Sequence, residues 1–328
     1  MSALQRKRGN CLNWDCITQV SYESDMLERF AMPTQKAVEQ ALLRALFKRG
    51  GIIKEFASGQ DIVDELANDF HLNEQQRSAI LETVYRKENR LKKSLLWHRL
   101  LFRSADSLAK QSLVSRPTQT LQLTQKREWM LTERGFDEAL KLSNIPVSRK
   151  EILLTKSFEV QKIVKKLIEA PKVENYNPVD RQKRVTKTTR ESVLRGRGFR
   201  QAVVEAYKCK CAICGLKMQS PDMLSWEIEA AHIVPNRSFG RDDVCNGIAL
   251  CHLHHWAFDV GWLTLSDDYV VQVSAKIRRL PSDFGKIYDY EFFRVVTEKN
   301  ARIYLPNTGA IYPHHNSIRW HRQNIFCQ

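Results

Sequence analysis

The apolar residues in the first third of the chain recur mostly at helical spacing. From Thr34 to Leu46, alanine, valine and leucine return every three or four residues, and the glycine pair of KRGG follows them. This pattern predicts an amphipathic helix with a glycine stop. The segment GQDIVDELANDF predicts a second, shorter helix, and NEQQRSAILETVYRKENRL predicts a third helical stretch. SLLWHRLLFRSADSLAKQSLV then predicts a long helix with one apolar face.

The period changes in the segment SRPTQTLQLTQKREWMLTERG. Apolar residues alternate there with polar ones, first at Leu121 and Leu123 and then at Trp129 and Leu131. Such alternation predicts two short strands joined by a polar tip. Two strands after these helices predict a winged helix-turn-helix, which we place at 32–142. Residues 1–31 show no clear periodicity and are expected to form a poorly ordered extension.

The remainder of the chain predicts a second domain. Residues 143–191 predict a connecting helix that ends at Pro171, followed by a linker with two prolines and a basic stretch. Further on, SWEIEAAH and NGIAL predict strands on either side of the polar loop NRSFGRDDVC, and CHLHHWAFD predicts a helix. We therefore place the second domain at 192–328.

The composition fits a soluble protein with two domains. The chain has 328 residues, of which 43% are hydrophobic and 27% charged, enough for two cores and unlike a disordered chain. It has no apolar run of the roughly 18 residues that a membrane helix needs, and no apolar segment follows the basic N-terminus as in a secretory signal. These features predict a cytoplasmic protein with reduced cysteines.

The net charge of +15 favours a polyanionic partner. Nucleic acid is the first candidate, and an anionic membrane surface is the second. Residues 181–201 contain eight basic side chains against one glutamate, which suits either a solvated linker or contacts with DNA phosphates. The candidate DNA-binding residues are Arg181, Lys183, Arg184, Lys187, Arg190, Arg195, Arg197 and Arg200.

Five of the eight cysteines lie within 209–251. Cys211 and Cys214 form a C-x2-C pair, and Cys251 and His254 form a C-x2-H pair. Two such paired-ligand turns are typical of a tetrahedral structural zinc site, which stabilises a fold and leaves no open coordination position. Buried thiols without a metal are the other interpretation. Two further cysteines stay open as alternative ligands, Cys209 and Cys245.

His254 and His255 are adjacent, and neighbouring helical residues point about 100° apart. If His254 faces the zinc ion, His255 therefore faces a different site. Asp259 shares the helical face of His255, where it could bind a metal, orient His255 or simply belong to the helix end. His252 is expected to face solvent or phosphate. Three C-terminal histidines are expected to be structural: His314, His315 and His321.

Two sets of motifs resemble known families. EAAHIVP, NGIALC and HHWAFDVGWLTL resemble the ββα-metal core of HNH endonucleases of the bacterial restriction type, and the residues that name this family are here His232, Asn246 and His255. The tryptophan-bearing helix and the closing LTERG of the first domain resemble the winged helix of Mrr-type restriction endonucleases. The resemblance implies an α+β protein, with a winged helix-turn-helix followed by a ββα-metal nuclease domain that contains a structural zinc site.

The resemblance to HNH nucleases implies metal-assisted hydrolysis of DNA phosphodiester bonds. His232 would be the general base, since a neutral imidazole suits proton transfer near pH 7. His255 would bind a catalytic Mg²⁺ or Mn²⁺, distinct from the structural Zn²⁺. Asn246 would either join the metal shell or pin the loop that aims His232.

One departure from the HNH pattern concerns the catalytic carboxylate. Many HNH nucleases carry an aspartate immediately before the first histidine, whereas this chain has Ala231 there. Glu229 and Asp259 are the candidate carboxylate ligands. On a regular strand Glu229 points away from His232, so it would need a twist or bulge to assist it.

These features together predict a metal-dependent DNA endonuclease in restriction or anti-phage defence. Its expected partners are double-stranded DNA, a second copy of the chain or accessory defence proteins, and no membrane. The alternative is a non-catalytic zinc-containing DNA-binding protein, in which His232 and Asn246 would be dispensable. A nucleobase deaminase is disfavoured because the sequence lacks the H-x-E and P-C-x-x-C motifs of that class.

Overall fold

The protein, described here by a computed structural model, divides into two compact units, Met1–Ile145 and Pro146–Gln328. Within the described part of the chain, no helix combines the length and apolar character needed to cross a bilayer. The described residues are 23–56, 61–85, 90–171, 173–181, 189–279, 286–287, 290–291 and 302–327.

The first unit combines helices with short antiparallel strands. Its helices are α1 (23–29), α2 (Gln35–Lys48), α3 (Asp61–Asp69), α4 (Glu74–Ser78), α5 (Leu96–Lys110), α6 (Pro117–Thr124) and α7 (Glu133–Leu142). Its strands are β1 (Ile52–Lys54), β2 (Ile80–Tyr85), β3 (Arg90–Leu95), β4 (Val114–Ser115) and β5 (Glu128–Leu131).

Helix α2 begins where the sequence predicts it. Thr34 is the N-cap, and its hydroxyl accepts a hydrogen bond from the backbone N–H of Ala37 at 3.3 Å, which satisfies a donor that the helix itself leaves free. The buried face includes Val38, Leu42 and Leu46 and packs against α5 and α7. The helical stripe in the sequence is therefore the core face of this unit.

The predicted third helix is only partly helical. Asn73 and Gln76 form a capping box at the start of α4, but the helix ends at Ser78. From Ile80 onward the chain forms β2, which pairs with β3 in a hairpin, Ile80 opposite Leu95. The segment ILETVY is rich in β-branched and aromatic residues, so a pairing partner within reach favours strand over helix. The prediction of a helix throughout 73–91 is wrong.

One of the two predicted wing strands is a helix. Trp129 and Leu131 lie in β5 as predicted, whereas Leu121 and Leu123 lie in α6. Pro117 occupies the first turn of α6, where its fixed φ and missing N–H favour helix initiation. Strand β4 lies just upstream and joins β1 and β5 in a three-stranded antiparallel sheet of order β1-β5-β4.

The predicted N-terminal extension contains a helix, α1, whose first residue is anchored. Residues 1–22 lie outside the described part. Glu23 is buried and receives hydrogen bonds from Arg99 and Arg103, each at 2.9 Å. Burial raises the pKa of Glu23, but the two guanidinium groups outweigh burial and hold this pKa below its ordinary value. Residues 23–29 thus belong to the first unit.

The second unit is a mixed α/β structure. Its helices are α8 (Phe158–Ile168), α9 (Thr189–Ala206), α10 (His252–Asp259) and α11 (His315–Asn324), with 3-10 turns at Val147–Glu151, Asn236–Ser238, Val244–Asn246, Ala275–Arg279 and Gly309–Ile311. Its strands are β6 (Glu229–His232), β7 (Gly247–Leu250), β8 (Leu263–Leu265), β9 (Val271–Val273), β10 (Lys286–Ile287) and β11 (Tyr290–Glu291), which pair as antiparallel hairpins.

Helix α9 covers the β6–β7 hairpin. The predicted connecting helix is present as α8, and it packs against α9 within this unit. Gly247 in β7 lies so close to α9 that a Cβ there would be 2.4 Å from Val203 Cγ2 and 3.0 Å from the Phe199 ring. Only glycine fits this contact without displacing α9. The close approach also brings Phe199 next to His232, which pairs with Gly247 across the hairpin.

His321 on α11 makes the stability of the second unit depend on pH. Its buried ring stacks on Phe258, with 3.7 Å between ring centroids. Nδ1 lies 2.9 Å from the Thr264 hydroxyl and Nε2 lies 3.1 Å from the Phe258 carbonyl. Burial lowers the pKa of His321 from 6.5 to about 4. The unfolded chain therefore binds a proton that the folded state does not, and the free energy of unfolding falls as pH drops from about 6.5 to about 4.

The expected loss for this one group is roughly 3 kcal/mol. His321→Gln keeps a donor and an acceptor but does not titrate. Urea unfolding at about pH 7.5 and pH 4.5 should show a pH-dependent loss smaller in the variant by about 2–3 kcal/mol. An equal loss in both proteins would contradict the assignment of this pH dependence to His321.

Candidate active site and metal centre

The β6–β7 hairpin and α10 form a compact ββα unit. Glu229 lies opposite Leu250 and His232 opposite Gly247 in the antiparallel pair. Helix α10 follows β7 directly, with Cys251 as its N-cap. The strand, loop, strand and helix occur in the order that the sequence predicts, and they bring the histidines of β6 and α10 into one region.

Four side chains converge where α10 meets the turn that follows α9, and we call them the Cys3His cluster: Cys211, Cys214, Cys251 and His254. Their ligand atoms all lie within 4.8 Å of one another. His254 Nδ1 is 3.0 Å from Cys251 Sγ and 3.6 Å from Cys211 Sγ, and the Sγ atoms of Cys214 and Cys251 are 4.0 Å apart. Around a tetrahedral zinc ion, neighbouring sulfur and nitrogen ligands lie about 3.5–3.8 Å apart. The cluster is therefore consistent with a zinc site.

The surroundings of the cluster also suit a closed metal site. Cys211, Cys251 and His254 are buried, and Cys214 is exposed. Hydrogen bonds from Cys214 and Cys251 hold the pKa of Cys211 far below its ordinary value, and the thiolate is the form that binds metal. Cys209 and Cys245 do not belong to this group of converging ligand atoms.

His232 lies between a carboxylate and an aromatic ring. Its Nε2 is 3.1 Å from Asp242 Oδ1, and its ring stacks on Phe199 with 4.0 Å between centroids and 17° between planes. Asp242 is itself buried, and its other oxygen is 3.8 Å from Arg195 Nε. An ionised carboxylate only accepts hydrogen bonds, so Nε2 carries the proton and neutral His232 presents Nδ1 as a proton acceptor.

Asn246 is fully buried and bonds only to backbone groups within the described structure. Its Oδ1 accepts from the N–H of Val234 at 2.9 Å, and its Nδ2 donates to the carbonyls of Val234 at 3.1 Å and Arg241 at 2.9 Å. These bonds use the amide to fix both ends of the loop between β6 and β7. Of the two sequence-based roles, the geometry favours pinning this loop over binding a metal.

His255 lies between two carboxylates. Its Nδ1 is 2.8 Å from Glu229 Oε2, and its Nε2 is 3.5 Å from Asp259 Oδ2. Glu229 contacts His255 rather than His232, in line with the alternation of side chains along β6. Ala231, at the position where many HNH nucleases have an aspartate, is fully buried in the apolar core. The carboxylates near His255 are instead those of Glu229 on β6 and Asp259 on α10.

The pKa values of Glu229, His255 and Asp259 are shifted because the imidazole lies between the two carboxyl groups. The hydrogen bond from His255 lowers the pKa of Glu229. Burial lowers the pKa of His255, but Glu229 and Asp259 outweigh burial and raise it overall. Burial raises the pKa of Asp259 despite the nearby charges of His255, Arg237 and His232. A cation bound here would replace a proton on His255.

The other histidines have structural contacts. His252 is exposed; its Nδ1 lies 2.9 Å from Glu227 Oε1, and its Nε2 lies 3.5 Å from Glu229 Oε1. His314 caps α11 by accepting from the N–H of Asn316 at 3.1 Å. His315 lies near the Tyr269 ring, with 5.4 Å between ring centroids. These contacts, with the burial of His321, agree with the structural roles expected for the C-terminal histidines.

The predicted DNA-binding residues have very different environments. Arg181 is exposed, whereas Lys183, Arg184, Lys187 and the side chain of Arg190 lie outside the described residues. Arg195 lies near Asp242. Arg197 is only 6% exposed, with its guanidinium 3.4 Å from the Thr155 carbonyl, and half-buried Arg200 donates to the Glu151 carbonyl. Arg197 is therefore a packing residue of α9 in this structure.

The sequence interpretation missed Asp242 and Phe199. Asp242 belongs to the segment NRSFGRDDVC, in which two neighbouring aspartates look equivalent. Asp243 instead accepts from Tyr176 and Arg241. Phe199 is one apolar residue on a helix and carries no chemical signal of its own. Only the loop conformation and the packing of α9 show that both contact His232.

Comparisons with known proteins give a family match for the part of the chain that contains this site. The chain matches no curated protein. It is similar to a solved structure titled "Modification dependent TagI restriction endonuclease", with 22% identity and a TM-score of 0.28. The similarity covers 39% of this chain and 37% of that chain, so it spans little more than a third of that protein. Residues 211–266 match the family model described as HNH endonuclease. This range includes the Cys3His cluster, His232, Asp242, His255 and Asp259, so the match covers these residues of the candidate site.

Proposed function

We propose that the chain is a metal-dependent endonuclease that hydrolyses phosphodiester bonds in double-stranded DNA. One observation carries the proposal. Within the range that matches the HNH endonuclease family model, strand β6 presents His232, held by Asp242. The adjoining helix α10 presents His255 and Asp259 as two potential metal ligands, 3.5 Å apart. The net charge of +15 supports a polyanionic substrate.

His232 acts as the general base in this proposal. Its Nδ1 takes the proton of the water that attacks phosphorus, while Asp242 holds Nε2–H on the opposite side of the ring. Phe199 fixes the ring plane by stacking. Asn246 fixes both ends of the loop that contains Asp242 and thus the distance between this carboxylate and His232.

His255 Nε2 and Asp259 Oδ2 would hold the catalytic Mg²⁺ or Mn²⁺. Two ligands at about 2.1 Å from one ion lie about 3.0–3.5 Å apart, which fits their separation of 3.5 Å. Glu229 would accept the Nδ1 proton of His255 and so present Nε2 to the ion. When bound, the cation supplies positive charge that stabilises the transition-state phosphate and the leaving 3′-oxygen.

The first unit is proposed to target DNA as a winged helix-turn-helix over 32–142. Helices α2, α3 and α5 precede the β4 and β5 strands, and the sheet order β1-β5-β4 supports this topology, with the β2–β3 hairpin and α6 as insertions. A DNA-targeting module joined to a nuclease domain favours a role in restriction or anti-phage defence. Reduced zinc thiolates favour a cytoplasmic location.

Supercoiled plasmid tests this function. With Mg²⁺ or Mn²⁺ added, the wild-type protein should convert the plasmid to nicked or linear DNA, and His232→Ala should lower the rate about 10²–10⁴-fold. The control is His71→Gln, a change at an exposed histidine of the first unit, which should cleave at nearly the wild-type rate. Linear product formed in one step would favour a homodimer with two active sites.

Two results would overturn the proposal. Cleavage that survives His232→Ala at the wild-type rate would exclude His232 as the base. If wild-type protein cleaves neither modified nor unmodified DNA with either cation, the non-catalytic zinc-containing DNA-binding protein would be the better description.

A further inference from the structure

The first unit contains a cavity of about 610 Å³ that the proposed nuclease site does not use. Cavities that bind small molecules measure about 300–1,000 Å³, so its volume suits a ligand of nucleotide size. The lining combines two aromatic rings with four basic and two acidic side chains: Phe102, Trp129, Arg103, Lys110, Arg116, Arg127, Glu55 and Asp106.

The aromatic side of the cavity is a stacked wall. The Trp129 ring stacks on Phe56, with 5.8 Å between centroids and 25° between planes, and Phe102 meets Phe56 edge-on at 5.3 Å. Phe102 is nevertheless 41% exposed. A large apolar ring held by neighbouring rings but open to solvent is a surface on which a flat base can stack.

Trp129 supports this wall from behind. Its side chain is only 6% exposed, and its Nε1 atom is buried and has no acceptor among the described residues. The ring therefore packs against Phe56 and offers no exposed donor to a ligand.

The charges around the cavity favour an anion. Four basic side chains outnumber two acidic ones in the lining, although each basic group already pairs with a carboxylate, Arg103 with Glu23 and Lys110 with Asp106 among them. The pairs that a phosphate would replace are Arg116 with Asp106, at 2.6 Å, and Arg127 with Glu55. All four of these side chains are about one-third to one-half exposed, and exposed ion pairs contribute little to stability. A phosphate can therefore replace the carboxylates at small cost, because guanidinium groups bind phosphate through two parallel hydrogen bonds.

We propose that this cavity binds a single nucleotide extruded from duplex DNA. The base stacks on Phe102, and the phosphate contacts Arg116 and Arg127. The inference rests on the proposed function for its choice of DNA as partner. A free nucleotide has the same chemistry, and an acidic peptide is the competing occupant.

A binding experiment with mismatched DNA tests the cavity directly. Full-length protein, without added Mg²⁺ or Mn²⁺, is titrated against two labelled duplexes that differ only by one central mismatch. Unpairing costs less at a mismatch, so wild type should bind the mismatched duplex about tenfold more tightly. Phe102→Ala and Arg127→Gln should bring this ratio close to one. Ile80→Ala, which shortens another exposed apolar side chain of the first unit, 49% exposed and outside the cavity lining, should preserve it.

Competitors identify the occupant. A free deoxynucleoside monophosphate in excess should reduce the mismatch preference, whereas inorganic phosphate should weaken both duplexes equally. Equal binding of both duplexes by wild type, an unchanged ratio in both cavity variants, or displacement by an acidic peptide but not by a nucleotide would each overturn the proposal. Plasmid cleavage separates the two hypotheses. If the wild-type protein cleaves plasmid but shows no mismatch preference, only the nucleotide-binding proposal fails. If it prefers mismatched DNA but does not cleave, only the nuclease proposal fails.

Discussion

Cys251→Ser is expected to abolish zinc binding and to unfold the second unit. Cys251 is the N-cap of α10 and ends the β6–β7 hairpin, so its sulfur connects the ββα unit to the C-x2-C turn after α9. Structural zinc sites contribute about 10–16 kcal/mol in small peptides at neutral pH, whereas whole domains are stable by about 5–15 kcal/mol. The free energy lost with the metal is therefore at least as large as the free energy of unfolding of the domain.

The control variants are Cys209→Ser and Cys245→Ser, which remove nearby thiols outside the Cys3His cluster. Metal analysis should find one zinc per chain in wild type and in both controls, and much less than one in Cys251→Ser. Thermal unfolding should lose the cooperative transition of the second unit only in Cys251→Ser. If this variant keeps its zinc and its transition while Cys209→Ser or Cys245→Ser loses them, the ligand set is wrong.

The Cys3His cluster could be predicted from the sequence because each half-site is local. A C-x2-C or C-x2-H pair places two ligands in one turn of backbone, whatever the rest of the fold does. The divergence of His254 and His255 follows equally from helix geometry. His254 lies in the cluster and His255 lies between Glu229 and Asp259. Such short-range geometry can be predicted from the sequence because it depends little on tertiary contacts.

The secondary structure of the first unit was predicted less well where local pattern and tertiary context conflict. The alternation at Leu121 and Leu123 resembles a strand, but Pro117 initiates a helix and Leu121 remains 41% exposed. The segment after Ser78 could continue a helix, but a partner strand at 90–95 pairs with it. Short segments with ambiguous periodicity take the structure that their neighbours stabilise.

The roles of the carboxylates depend on contacts that no spacing encodes. The sequence names Glu229 and Asp259 as equal candidates to replace the acid absent at Ala231. In the structure Glu229 contacts His255 Nδ1 and Asp259 lies beside Nε2, so the two acids face different nitrogens of the same histidine. Which ring nitrogen faces which acid follows from the packing of α10 on β6, and this packing is a tertiary property.

Asp242→Asn is expected to lower kcat for plasmid cleavage about 10²–10³-fold, more than Asp242→Ala. The carboxylate can only accept a hydrogen bond, so it holds the proton of His232 on Nε2 and leaves Nδ1 to act as the base. An asparagine amide can donate to Nε2 instead, which moves the proton to Nδ1 and blocks the base. Alanine removes the restraint without favouring the inactive tautomer, so Asp242→Ala should retain more activity than Asp242→Asn.

The order of these two variants separates positioning from simple loss of structure. If Asp242 only stabilised the loop between β6 and β7, asparagine, which matches aspartate in size, would be the milder change and alanine the more harmful one. Michaelis kinetics on plasmid should show the reduction in kcat with KM little changed, because the buried carboxylate of Asp242 offers little surface to DNA. Asp243→Asn is the control next in the chain; it contacts Tyr176 and Arg241 rather than His232. Higher activity in Asp242→Asn than in Asp242→Ala would contradict the tautomer argument, since the amide would then preserve the structure and leave the base free to act.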